Sequence, residues 1–213
     1  MVNTTVVISS MVRAATGEKK TGRTRQTVES RRGQLIALGL AFFGTRAYDV
    51  VSIDDIAEAA GISKGLLYHY FPTKRDYYAA VLETAAEDLR LQTVIDPTLT
   101  SDVRLRTGLE AYLDFVKARG PAYVALMRGG IGSDPVIAVI LDRVRGHFID
   151  TILKDLPPHP RPRALRVLLR GWVGFVEETS LAWLESPPGT ISRAQLVATA
   201  SSVLVSLLGD LLT

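Results

Sequence analysis

The chain has 213 residues, 47% of them hydrophobic and 22% charged, and no cysteine. Such a composition builds one domain or two small ones and excludes wholesale disorder. A disulfide framework, a thiol nucleophile and a cysteine-type zinc site are excluded too, so a cytoplasmic protein is expected. The net charge of +3 conceals an asymmetry: Met1 to Arg75 carries 11 Lys+Arg against 6 Asp+Glu, and the remainder 14 against 16. A basic front joined to a near-neutral body is the electrostatic outline of a nucleic-acid binder with a second module.

Residues 1 to about 25 are rich in Thr, Ser, Lys and Arg without a sustained apolar period, and are expected to form a mobile basic tail. The first dozen do not read as a signal peptide, because no basic residue precedes them and no long apolar run follows. Either Met1 or Met11 would serve as the start. The pattern beyond is helical almost throughout, giving an all-α chain of about nine helices with breaks at Gly and Pro.

A first helix is expected over about Thr27 to Arg46, with Leu35, Leu38, Phe42 and Phe43 on one face. Two short helices follow, Ile53 to Ala60 and Lys64 to Tyr70, then a long one from near Pro72 to Ile95, ended by Asp96-Pro97. Ser101 to Arg119 and Ala122 to Arg128 come next, and the Gly129 to Gly132 run reads as a flexible turn. Asp134-Pro135 has the form of an N-cap followed by proline, opening a helix to about Leu156. After a proline-rich connector, Ala164 to Glu185 and Ser192 to Leu212 form a final pair. No stretch has the roughly 20 apolar residues that span a bilayer.

The stretch VSIDDIAEAAGISKGLLYHYF, residues 51 to 71, is the most informative. Ser52 and Ser63 are placed to cap the two short helices, and Gly61 suits the exit of the first. Ile53, Ile56, Ala57 and Ala60 share one face while Asp54, Asp55 and Glu58 look outward. Two short helices around a three-residue turn with glycine make a helix-turn-helix. On the second helix Leu67, Tyr70 and Phe71 turn inward, whereas Lys64, Gly65, Leu66, Tyr68 and His69 turn outward. That outer face offers a cation, a glycine permitting close approach, hydrogen-bonding aromatics and an apolar group able to meet a thymine methyl. An ordinary αα-hairpin is the plainer reading of these residues alone.

The flanks extend the pattern. Leu35, Phe43 and Tyr48 around the first helix, then IAEAAGISKG (56 to 65), LYHYF (67 to 71) and Lys74, resemble the amino-terminal domain of the TetR family of transcriptional regulators over about Arg32 to Leu82. Three positions depart from that pattern: Leu66 for a small hydroxyl residue or alanine, Ala47 for glycine and Tyr77 for leucine.

The resemblance implies a helix-turn-helix domain over 26–75 and a helical effector-binding and dimerisation domain over 76–213. It makes Lys64 to Tyr70 the recognition helix and assigns DNA contacts to Ser52, Ser63, Lys64, Gly65, Leu66, Tyr68, His69 and Lys74. Arg23, Arg25, Arg31 and Arg32 are candidates for an arm along phosphates or an adjacent minor groove; a solvated leader explains them equally. The implied function is a sequence-specific regulator, a repressor, that binds a palindromic double-stranded operator as a homodimer and answers to a small, largely apolar effector.

For the dimer seam the last two helices are expected, through Gly171, Gly174 and Ala182 on one and Val197, Ser201, Leu204, Val205 and Leu208 on the other, because the final helix is apolar nearly all round. For the effector pocket the aromatic and apolar residues of the central helices are candidates: Tyr112, Phe115, Tyr123, Met127, Val144, His147, Phe148, Trp172 and Phe175, with Glu178 as a polar member. An effector-independent architectural dimer is the alternative. An enzyme is disfavoured, because His69, His147 and His159 lack metal-ligand spacing and no nucleophile elbow or glycine-rich cofactor loop follows a strand. No metal and no cofactor are implied.

Overall fold

The computed structural model describes residues 28–158 and 161–212. The chain divides into two compact units, residues 1–31 and 32–213. Only residues 28–31 of the first are described, and the account below concerns the second. Arg23, Arg25, the two alternative starts and His159 lie outside the described residues.

Nine α-helices and one short 3-10 turn, with no strand, make up the described residues. They are α1 (Val28–Phe43), α2 (Ile53–Ala59), α3 (Lys64–Tyr70), α4 (Lys74–Gln92), α5 (Ser101–Ala118), α6 (Gly120–Arg128), α7 (Pro135–Lys154), α8 (Pro162–Glu185) and α9 (Arg193–Leu212). The 3-10 turn occupies Gly130–Ser133, where a loose glycine turn was expected. α1 stops at Phe43, short of the expected Arg46, with the Gly44 amide closing onto the Leu40 carbonyl. α6 and α8 start two residues earlier than expected. Pro121 and Pro162 lie in their first turns, where a missing N–H costs nothing.

Local chemistry sets the other ends. Ser52 Oγ accepts from the Asp54 amide at 3.1 Å, and Ser63 Oγ from the Leu66 amide at 3.2 Å. Thr73 and Asp76 satisfy each other at the start of α4, the Thr73 hydroxyl accepting from the Asp76 amide and donating to its carboxylate. Asp134 caps α7 through the Val136 amide. Gly61, between α2 and α3, has φ +64°, the left-handed conformation that side chains resist.

Two apolar clusters hold the helices together. Leu35, Phe43, Ile53, Ile56, Leu67 and Phe71 join α1, α2 and α3 to Tyr77 and Val81 of α4, with Ile137 and Ile140 of α7 added. The second cluster combines Leu89 with Leu113 and Val116 of α5, Leu169 and Trp172 of α8, and Leu196 and Leu204 of α9. α4 belongs to both, so it is the physical link between the helix-turn-helix and the rest of this unit.

Candidate nucleic-acid interface and ligand cavity

α3 presents Lys64, Gly65, Leu66 and His69 to solvent, while Leu67 and the following Phe71 are buried. Leu66 is 40% exposed. A Cβ on Gly65 would find only Ser63 Oγ, 4.0 Å away, so packing within the chain does not demand glycine there. Tyr68 is half-buried against the first cluster and not fully outward. Ser52 and Ser63 each use Oγ as an acceptor in their caps, which leaves the hydroxyl proton of each able to donate to a phosphate oxygen.

Two cations here are held by neighbours that the sequence did not reveal. Lys64 Nζ lies 2.8 Å from Asp54 Oδ2, and this hydrogen bond holds the lysine's pKa above its usual value. Its charge is therefore shared with α2 and not simply offered outward. Lys74 Nζ sits 4.4 Å from the centre of the Tyr48 ring, which packs against Phe43 and Tyr78. This cation–π contact holds the Lys74 ammonium beside Tyr48. Arg32 lies over Phe71 in the same manner, 5.1 Å away, and Arg31 is part-buried.

Away from this surface, the helices line a partly open cavity of about 900 Å³. Tyr112, Phe115, Tyr123, Met127, Val144, His147, Phe148 and Trp172 line it. Phe175 and Glu178 do not: Phe175 packs at the side of the second cluster, and Glu178 is exposed, tied to Arg128 at 2.6 Å. Inside, the Tyr112 and Tyr123 hydroxyls are 2.7 Å apart. Ser180 nearby donates its hydroxyl to the Val176 carbonyl at 2.6 Å. Either tyrosine hydroxyl can be the donor of that pair, and the other is then left with a proton for a ligand acceptor. Burial pushes the Tyr112 pKa up to about 12 and raises that of Tyr123, keeping both neutral. Arg145 is neutralised by Glu177 at 2.8 Å.

The cavity also takes in residues without a sequence signal for it: Tyr78, Val81, Leu82, Ala85, Ala86 and Leu89 of α4 with its C-cap Thr93, and Leu40, Phe43 and Gly44 at the end of α1. Their apolar spacing reads as ordinary core.

Among exposed residues, α8 presents a stripe of Val167, Gly171, Gly174, Glu178 and Ala182, and α9 presents Ala194 together with Ala198, Ser202 and Val205, which also border the cavity. Val167 is 71% and Val205 64% exposed. The expected seam needs correction on α9. Val197, Ser201 and Leu204 are buried under the chain's own helices, and Ser201, Leu204, Val205 and Leu208 border the cavity. An apolar circumference identifies a covered helix without saying which side the same chain covers. Ser201 Oγ is buried with no hydrogen-bond partner. A Cβ on Gly171 or Gly174 would meet nothing within 4 Å.

Among the described residues no His, Cys, Asp and Glu side chains gather as a metal site, and no helix is long and apolar enough to cross a membrane.

Two family models match the chain: residues 35–81 fit "Bacterial regulatory proteins, tetR family", and 102–207 fit "Tetracyclin repressor-like, C-terminal domain". A TetR-family transcriptional regulator from Streptomyces coelicolor is 37% identical, with TM-score 0.77 over 87% of this chain and 83% of that one. The transcriptional activator FasR of Mycolicibacterium smegmatis is 29% identical over 74% of each chain. The transcriptional repressor KstR2 of Mycobacterium tuberculosis is 36% identical over 37% of this chain and 40% of its own length. With a helix-turn-helix at one end, a helical domain at the other and both matched, the chain belongs to the TetR family and is a DNA-binding transcriptional regulator.

Proposed function

We propose that this protein is a homodimeric, sequence-specific repressor whose operator affinity is set by a small, predominantly apolar effector in the cavity between α4, α5, α7 and α8. The outer face of α3 enters the major groove, with Leu66 and His69 nearest the base edges and Ser52, Ser63, Tyr68 and Lys74 positioned for phosphates. The exposed stripes of α8 and α9 form the seam with a second copy. Each glycine inside a helix costs about 1 kcal/mol relative to alanine, and Gly171 and Gly174 have no neighbour in their own chain to explain them. A partner helix approaching closely does. A two-fold dimer reads a palindrome when its recognition helices lie about 34–36 Å apart. Among relatives the repressor KstR2 is similar over the amino-terminal region and the activator FasR over 74% of each chain, so the sign is decided by the reporter measurement below.

The observation that carries the effector reading is the cavity of about 900 Å³, which reaches the end of α1 and runs beside α4. A ligand that binds better when α4 is displaced depletes the DNA-competent form, and a coupling of about 1–3 kcal/mol changes affinity roughly 5- to 150-fold. The test is to select an operator from random duplex DNA, then screen metabolites by thermal shift and measure operator affinity with each hit. Loss of affinity with a cavity-bound hit is expected. Affinity indifferent to every bound hit would end the effector reading, and a reporter gene that rises with the protein would reverse its sign.

A further inference from the structure

The shape of the cavity says more than its volume. Along α4 the lining runs from Tyr78 through Leu82 and Ala86 to its C-cap Thr93, and along α7 from Ile140 through Val144 to its C-cap Asp155. From first to last residue each stripe advances fifteen positions, about 22 Å at 1.5 Å per residue. A cavity of about 900 Å³ drawn out over about 22 Å has a mean cross-section of about 40 Å², suited to one extended molecule.

The two ends differ in chemistry. At the Thr93 and Asp155 end the lining includes Asp102, Arg104, Arg106 and Lys154. Arg104 is paired with Asp155 at 2.7 Å and Arg106 with Asp102 at 3.6 Å. Lys154, exposed at this end, makes no ion pair among the described residues. The opposite end is apolar: Leu40 and Phe43 of α1 meet Tyr78 and Val81 of α4 and Ile140 of α7. Phe43 shares a cluster with Ile53, Ile56 and Leu67, so this end is floored by the helix-turn-helix itself.

We propose that the cavity reads the length of an elongated amphiphile. The polar head lies at the Arg104 and Lys154 end, the apolar tail runs between α4 and α7, and only a tail that reaches Leu40 and Phe43 reseats α1 and changes operator affinity. This deepens the effector reading above and rests on it. One turn of α1 away, Gly39 lies so close to Val81 and Tyr77 that no Cβ fits, so pressure at Leu40 and Phe43 has little slack to dissipate it.

The experiment uses the full chain, its selected operator and three linear alcohols, hexanol, decanol and tetradecanol, with N-phenyl-1-naphthylamine as a fluorescent cavity probe. All three alcohols are expected to displace the probe. At saturation tetradecanol shifts operator affinity about 5-fold or more, and hexanol leaves it within about 2-fold. In Ala86→Phe, which fills the middle of the tube, hexanol still displaces the probe and the tetradecanol response falls to that of hexanol. If that variant does not fold, the wild-type series decides alone. Equal shifts with hexanol and tetradecanol, or bound tetradecanol without any shift, overturn the length reading and leave the effector site standing. Failure of the probe and all three alcohols to enter overturns both.

Discussion

Tyr77 of α4 donates its hydroxyl to the backbone carbonyl of Leu35 on α1, in the fully buried interior of the first cluster. Burial holds its pKa well above the ordinary phenol value, so it remains a donor throughout the physiological range. Beside it, Gly39 permits the closest approach of the two helices. Tyr77→Phe is expected to lower stability by about 1 kcal/mol, a typical net hydrogen bond. The fall in melting temperature would be about 2–4 °C in a domain of this size. Thermal denaturation checks it.

Gly39→Ala and Gly171→Ala should act in opposite ways. At Gly39 the new Cβ would lie 2.3 Å from Val81 Cγ2 and 2.8 Å from Tyr77 Oη, and relieving that clash costs about 1–3 kcal/mol. At Gly171 nothing lies within 4 Å, so the chain gains about 1 kcal/mol of helix propensity while a close seam loses contact. Sedimentation equilibrium should therefore show weaker dimerisation for Gly171→Ala and not for Gly39→Ala. An unchanged dimerisation constant for Gly171→Ala would remove α8 from the seam.

Asp54 restrains Lys64 in the free protein. Asp54→Asn removes a negative charge beside the recognition helix and releases the lysine, so operator affinity should rise several-fold at low salt. Lys64→Ala should reduce affinity and flatten the slope of log K against log salt by about 0.9, the value for one phosphate contact. Fluorescence anisotropy across a salt series reads both.

His147 borders the cavity with a pKa lowered from 6.5, first by burial and then by Arg90 and Lys154, opposed by Asp150 and Glu87. A depressed folded-state value means that the unfolded chain takes up the proton first as pH falls. The contribution is therefore intact above pH 6.5 and is lost as pH drops through the folded-state value. His147→Gln should flatten the decline in melting temperature between neutral and mildly acidic pH. An unchanged profile would remove this histidine from the acid sensitivity.

Much of the fold could be read from the sequence because it rests on neighbours along the chain. The caps at Ser52, Ser63 and Asp134, the left-handed Gly61 and the inward Leu67 are local consequences of residue type and helical period. The pairing of Lys64 with Asp54 and of Lys74 with Tyr48 joins separate elements, so no local pattern announces it. The cavity was legible where aromatics interrupt α5, α6 and α7, but not along α4, where Leu82, Ala86 and Leu89 look like any core stripe. On α9, Val197 and Leu204 lie buried although Val205 beside them is open, a division that hydrophobicity alone does not make.

The central claim is that α3 reads a specific DNA sequence. The most direct measurement is the affinity of the wild-type protein for its selected palindromic duplex and for a scrambled duplex of equal length and composition, at one physiological salt concentration. The selected duplex is expected to bind about 10³-fold or more tightly, and Leu66→Ala should narrow that ratio while leaving affinity for the scrambled duplex unchanged. Equal affinity for the two duplexes would contradict the account.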